Sequence, residues 1–229
     1  MLLLGACFRY SQEGDMNGVD WRPSECDVSI RPGWFWHENE KPKTINSLLK
    51  IYYKSVGRNC VLLLNVPPNT TGLISHEDVE VLFGFNEALQ RIFPRNLVDD
   101  ARVRSDGYRG LKFRPDYILS NDLSTCWAPE HGKFKGYLEL DMGAKNRFNV
   151  VRIQEAIHMG QRVIAHHVDV LKEDGEWATV VTGTIIGYKR FELLVLAIEA
   201  QLVRLYIDES HANPLIASFG LYFDPITSF

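Results

Sequence analysis

Positive charge is never concentrated in this chain of 229 residues. Its 25 Lys and Arg are scattered among 29 Asp and Glu, for a formal net charge of −4. The dense basic footprint that nucleic acid or an anionic membrane surface requires is therefore missing, and neutral substrates fit better. Nor does any window reach the roughly 20 apolar residues of a membrane span. The four cysteines, Cys7, Cys26, Cys60 and Cys126, form no CxxC pair. That argues against a zinc site or a disulfide scaffold. Cys26 and Cys60 lie within apolar text and read as buried free thiols, with disulfide pairing left open. A secretion leader is also wanting. Met1-Leu2-Leu3-Leu4 has no charged region before it and runs at once into Arg9, Ser11, Gln12 and Glu13. One feature points outward: Asn69-Thr70-Thr71 is a glycosylation acceptor in a Pro-rich loop. Internal repeats and low-complexity segments are absent, and no feature specifies an oligomeric state.

What is present has the balance of a globular chain, 45% hydrophobic and 24% charged. The length suits one large domain or two ordinary ones. Two grammars divide it. Glu25, Asp27 and Ser29 alternate with Cys26, Val28 and Ile30, the period of a strand, until Arg31-Pro32-Gly33 ends it. Ile45, Leu48, Leu49 and Tyr52 recur at helical spacing behind Thr44 as cap. Cys60-Val61-Leu62-Leu63-Leu64 reads as a strand buried on both faces, as in a parallel sheet. Ser75 with Asp78 three residues on approximates an N-cap signature for a helix carrying Val79, Leu82, Phe83, Leu89 and Ile92. Strand, helix, strand, helix is the repeating unit of an α/β barrel or a doubly wound sheet. A closed barrel needs eight such pairs, so a piece of this size must expose apolar surface or lie against the rest of the chain. After Pro94-Arg95-Asn96 come short alternating segments: 137–142, 151–153, 163–170, 177–181 behind the turn Lys172-Glu173-Asp174-Gly175, 203–207 and 219–223. That is the pattern of an antiparallel sandwich. The expected fold is an incomplete (β/α)8 barrel remnant over residues 1–94, then an antiparallel β-sandwich over 95–229.

The densest chemistry lies between Trp21 and His37, where three Trp, a His, two Arg and two carboxylates share seventeen residues. Aromatic rings suit the apolar faces of sugars, while carboxylates, His and Arg hydrogen-bond their hydroxyls. Glu25 reads as a site residue or as an ion-pair partner of Arg22 or Arg31. Trp34 and His37 read as sugar contacts or as packing, Trp36 as packing, and Asn65 as a structural residue closing its strand. Glu25 and Asp27 share one strand face, so the two by themselves cannot flank a glycosidic bond from opposite sides, as retaining hydrolysis demands. In the second half, adjacent His166 and His167 should point one in and one out, with no partner cluster to make a metal site. Trp127, Gln154, His158 and Arg162 could form a sugar-binding rim, but read better as structural, Arg162 pairing with Glu155.

The strings SECDVSIRPGWFWH and YYKSVGRNCVLLLNVPPNTTGLISHEDVEVL resemble the end of the barrel in α-L-fucosidases of glycoside hydrolase family 29, plant members most closely. Ser124-Thr125-Cys126-Trp127-Ala128-Pro129-Glu130, Ile157-His158-Met159-Gly160-Gln161-Arg162-Val163 and Gly183-Thr184-Ile185-Ile186-Gly187-Tyr188-Lys189-Arg190 resemble the galactose-binding-like jelly roll attached to those enzymes. The resemblance runs from about residue 15 to 227; residues 1–13 do not share it and look like an alternative first exon or a truncation. It implies retaining hydrolysis of terminal α-linked fucose from glycans without a cofactor, in an extracellular, apoplastic setting; the sequon makes Asn69 the expected glycosylation site, and the residue spacing offers no metal site. It implies Glu25 as acid/base or substrate-contacting acid, and Asp27, Arg31, Trp34 and His37 as substrate-binding residues. The family's nucleophilic aspartate belongs to an earlier strand that no part of this chain matches. A non-catalytic carbohydrate-binding module, or an inactive fragment, is the alternative.

Overall fold

In the computed structural model, which describes residues 14–18 and 20–227, the alternating text becomes strand β1 (Ser24–Ser29). It runs parallel to β2 (Cys60–Asn65), with Ser24 opposite Cys60 and Ser29 opposite Asn65. The expectations for residues 1–13, including the leader and Cys7, fall outside the described residues. Parallel neighbours need a crossover, and helix α1 (Ile45–Lys54) supplies it. Thr44 caps α1 as expected, its hydroxyl accepting the Ser47 amide at 3.2 Å. Helix α2 (His76–Ile92) follows β2. Ser75 stands at its N-cap but makes no capping bond. Its hydroxyl serves Asp78 and Arg31 instead, so the expected cap holds in position and not in chemistry.

β2 is not buried on both faces. Cys60 is buried and Leu62 and Leu64 half-buried, whereas Val61 and Leu63 are 58% and 51% exposed. Protein covers only one side of the two-stranded sheet, and the other side is open.

The remaining strands are β3 (Arg102–Ser105), β4 (Gly136–Glu155), β5 (Val163–Leu171), β6 (Trp177–Gly183), β7 (Arg190–Ser210) and β8 (Ile216–Tyr222). They pair antiparallel in the order β3-β4-β7-β5-β6, with β8 on the far part of β4. The segments expected at 137–142 and 151–153 are one long strand. Early β4 (136–141) pairs with late β7 (202–207) and late β4 (150–153) with early β7 (190–193), the register slipping between Asp141 and Asn146 and again between Phe148 and Val150. Such bulges bend strands, and here they let β4 and β7 serve two layers. Leu138, Leu140, Val203 and Leu205 from one layer meet Val151, Ile153, Phe219 and Leu221 from the other in a single buried core.

The first half lies against this sandwich. Val150, Phe191 and Tyr222 leave its outer face and pack among Leu49, Tyr53, Ala88 and Ile92 of the two helices. Phe93 stacks on Phe191 at 5.5 Å and meets Tyr222 edge-on at 4.9 Å. The Tyr53 hydroxyl donates to Asp224 at 2.8 Å. Backbone joins backbone as well. Phe191 donates to the Gly57 carbonyl at 2.9 Å and Asn59 to that of Lys189 at 3.2 Å. The Asn59 side chain accepts from the Lys189 amide at 2.9 Å and donates to the Ile186 carbonyl at 3.0 Å. Asn59 takes a left-handed backbone (φ 66°) to do this, a conformation Asn tolerates better than most residues.

Candidate active-site region

Both parallel strands end together, and the loops that follow them converge. The ladder continues one step beyond β1, the Ile30 amide donating to the Asn65 carbonyl at 2.9 Å. Asn65 Nδ2 donates to Ser29 Oγ at 3.1 Å and to the Trp34 carbonyl at 3.0 Å, so Asn65 ties the Trp34 loop to the strand ends. Arg31 is 1% exposed. Its Nε donates to Asp78 Oδ2 at 3.0 Å, Nη2 to Ser75 Oγ at 2.8 Å, and Nη1 to the Glu40 and His37 carbonyls at 2.5 and 3.4 Å. Every guanidinium nitrogen is occupied by protein. The substrate contact expected of Arg31 is therefore replaced by an anchoring role, because a buried guanidinium needs a buried anion and Asp78, 0% exposed, provides it. Lys43 assists, its ammonium donating to the Ser29 and Arg31 carbonyls at 2.6 and 2.8 Å. Trp36 lies beneath the guanidinium, 5.7 Å from ring centre to Cζ.

Glu25 and Asp27 stand on the open face of β1, exposed, level with Val61 and Leu63 of β2. Arg22 pairs with Asp20 and Arg31 with Asp78, so neither expected basic partner holds Glu25. The loop after β1 presents Trp34 and Phe35, 53% and 77% exposed. With Trp36, Asn65, Pro67 and Asn69 they line an open groove of about 370 Å³. His37 is exposed as a side chain and joins the site only through its carbonyl. At the groove's end Asn69 Oδ1 accepts from the Thr71 amide and hydroxyl at 2.9 and 2.7 Å and from the Leu73 amide at 3.2 Å. Behind β1, burial and then the neighbouring Cys60 thiol push the Cys26 thiol up to about 12, so it stays protonated and inert. Cys26 and Cys126 form no disulfide.

The structure thus gathers Trp34 and Asn69 at one groove, sets Glu25 and Asp27 on the strand leading to it, and takes Arg31 out of solvent. Sequence reasoning missed Asp78 and Lys43 as anchors. Asp78 was read as part of a cap, and only an unpaired arginine in the loop could have hinted at its real partner.

In the sandwich, the four residues weighed as a sugar-binding rim do not converge, as their structural reading has it. Trp127 is fully buried, its indole nitrogen donating to the Gly107 carbonyl at 3.2 Å. Gln154 is buried on the Tyr188 carbonyl and His158 is exposed. The Arg162 guanidinium goes to the Asn213 and Met159 carbonyls. Glu155 accepts backbone amides from Arg162, Val163 and Gly187 at 2.8, 3.0 and 2.8 Å rather than pairing with the Arg162 side chain. Burial pushes its carboxyl up to about 7 against the pull of those amides. His166 is buried and His167 half-buried, one in and one out. His166 faces Glu192 at 3.6 Å, a carboxylate that also meets Arg190 and, across the seam, Arg58 at 3.6 Å. Among the described residues no three His, Cys, Asp or Glu converge as metal ligands, and no helix is long and apolar enough to cross a membrane.

Residues 6–91 match the family described as Alpha-L-fucosidase, and residues 101–219 match the F5/8 type C domain. Alpha-L-fucosidase 1 of Arabidopsis thaliana is 48% identical over 219 residues, covering 94% of this chain and 43% of that protein. A protein of Oryza sativa subsp. japonica is 50% identical over 220 residues, 94% of this chain and 42% of its own length. The chain therefore spans less than half the length of these curated relatives. Among solved structures, a glycoside hydrolase family 29 fucosidase of Ruminococcus gnavus in complex with fucose superposes with a TM-score of 0.85 at 31% identity, over 92% of this chain and 43% of that one. The structure named SpGH29 does so with a TM-score of 0.87 at 37% identity, over 95% and 48%.

Proposed function

We propose, for a chain that belongs to the α-L-fucosidase family and carries an F5/8 type C domain, that it contributes to retaining hydrolysis of terminal α-L-fucose from glycans. In this reading residues 1–94 form the catalytic part and 95–229 the sandwich that braces it. The observation that carries it is the convergence of loops at the carboxyl ends of two parallel strands, with aromatic Trp34 over a groove and two solvent-facing carboxylates on the strand below. Barrel enzymes keep their chemistry at that end.

Retention requires two carboxyl groups about 5 Å apart, one on each side of the glycosidic bond. One carboxylate attacks the anomeric carbon as the other protonates the departing glycosidic oxygen. Water, deprotonated by the second group, then cleaves the glycosyl ester. Glu25 and Asp27 are two positions apart on one strand and point the same way, so they supply at most one member of the pair. We assign Glu25 as the acid/base, or as an acid contacting the sugar, and Asp27, Trp34 and His37 as contacts. The nucleophile then comes from a strand that the described residues do not include. Arg31 serves by holding the Trp34 loop against α2. The open face bearing Val61 and Leu63 favours a second reading, a glycan-retaining module without turnover. An extracellular site of action accompanies the first reading, with Asn69 glycosylated.

Hydrolysis of an aryl α-L-fucoside by the 229-residue chain, beside Glu25→Gln, separates these. Turnover that falls by at least about 100-fold in the variant, the scale of losing general acid/base catalysis, supports a working site containing Glu25. Turnover equal in both proteins removes Glu25 from the chemistry. Fucose-terminated glycan retained by a folded chain without turnover leaves the second reading.

A further inference from the structure

At the seam between the two halves lies a cleft of about 360 Å³, walled by Phe93 and Phe191 and ringed by Tyr52, Tyr222, Arg152 and Lys189. Three cations line it; Arg95 pairs with Asp100, and no carboxylate among the described residues pairs with Arg152 or Lys189. The side chain of Arg152 makes a single hydrogen bond, Nη2 to Ser218 Oγ at 3.1 Å, and its Nε is buried without a partner. The Lys189 ammonium has no acceptor among the described residues and lies 5.5 Å from the centre of the Tyr188 ring. Burial, and then the charge of Arg152, hold the Lys189 amine below its ordinary value. Half-burying two like charges side by side is unfavourable unless an anion joins them. The one carboxylate lining the cleft belongs to exposed Asp99, so the cleft keeps a positive excess.

The other groups narrow the choice of anion. The phenols of Tyr52 and Tyr222 have no hydrogen-bond partner among the described residues and stand near the Arg152 guanidinium, which lies 5.3 Å over the Tyr222 ring. A guanidinium and an ammonium suit a carboxylate. Free phenols suit hydroxyls, and aromatic walls suit the C–H face of a pyranose. We propose that this cleft binds the carboxylate of a uronic acid residue in a glycan, apart from the region that carries Glu25 and Trp34. The choice of a sugar acid over another organic anion rests on the glycosidase reading; the anion site itself does not.

The test is calorimetric titration of the full chain at low salt with methyl β-D-glucuronide, methyl β-D-glucoside and sodium sulfate, with no fucoside present. The expected result is that the glucuronide binds at least about tenfold more tightly than the other two, the ratio a charge-assisted bond supplies. Lys189→Gln should weaken it about tenfold while keeping the unfolding midpoint of the parent, and Arg152→Gln at least as much. Equal affinity for the glucoside, unchanged affinity in Lys189→Gln, or no binding of any probe overturns the proposal. Sulfate binding as tightly as the glucuronide overturns the sugar assignment and leaves a bare anion site. Because no hydrolysis is read, failure of fucosidase activity and failure of this site are told apart.

Discussion

Arg31 and Asp78 show how much one pair can govern. Their side chains are 1% and 0% exposed, and Asp78 Oδ1 is already buried without a partner. Removing the guanidinium leaves a carboxylate in a dry site with only the Ser75 hydroxyl to offset it. Arg31→Met should therefore cost about 3–5 kcal/mol of stability, read as a shift in urea-unfolding midpoint, and should free the loop bearing Trp34. Glu192 behaves differently because its charge is oversupplied with partners. Burial alone would raise its carboxyl, but the His166 ring 3.6 Å away and the charges of Arg190 and Arg58 outweigh it and hold the group at about 2. A folded value below the unfolded one of 4.5 means that its stabilisation is fully present above pH 4.5 and is lost as pH falls toward 2. Urea unfolding of the parent and Glu192→Gln between pH 6 and 2.5 should show a gap of about 3 kcal/mol closing over that interval. A gap that stays constant with pH would remove Glu192 from acid sensitivity.

At the level of elements, the sequence was most legible where a single partner decides the pattern. Glu25 to Ile30 alternates because β1 has one covered face, and α1 announces its start at Thr44 through a cap that works. It was least legible where an element answers to two partners. Late β4 loses its alternation because Phe148 and Val151 face the sandwich core while Val150 faces the helices. Early β7 is obscured in the same way, Phe191 packing against the helices while Leu194 faces the core. The site followed the same rule. Trp34 and the strand carboxylates were read from local text, but the fate of Arg31 hung on a residue 47 positions away, which no local pattern encodes. Cys60–Leu64 was misjudged for a further reason: a run of apolar residues says that a strand prefers two covers, not that both are present.

Across the whole molecule, the two halves meet at a seam built from backbone as well as from aromatic rings. Gly187 makes this testable. It sits at φ 69°, and a Cβ there would meet Asn59 Oδ1 at 2.6 Å. Gly187→Ala should thus strain its own turn and push away the residue that ties the first half to the second. The expected loss is about 1–3 kcal/mol, seen as a lower urea midpoint, with the amides of α1 and α2 losing exchange protection before those of the sandwich strands. Coincident loss of protection in the variant would place the seam's strength in the aromatic packing alone.

The pairing of Gly57 and Asn59 with residues 189–191 also limits how such proteins can be recombined. Moved behind an unrelated catalytic unit, the sandwich would carry a bare stretch of strand edge at Lys189 and Phe191, open to pairing with whatever chain came by. Neither half is a cassette, and any chimera has to inherit the Gly57–Asn59 loop as part of the sandwich it completes.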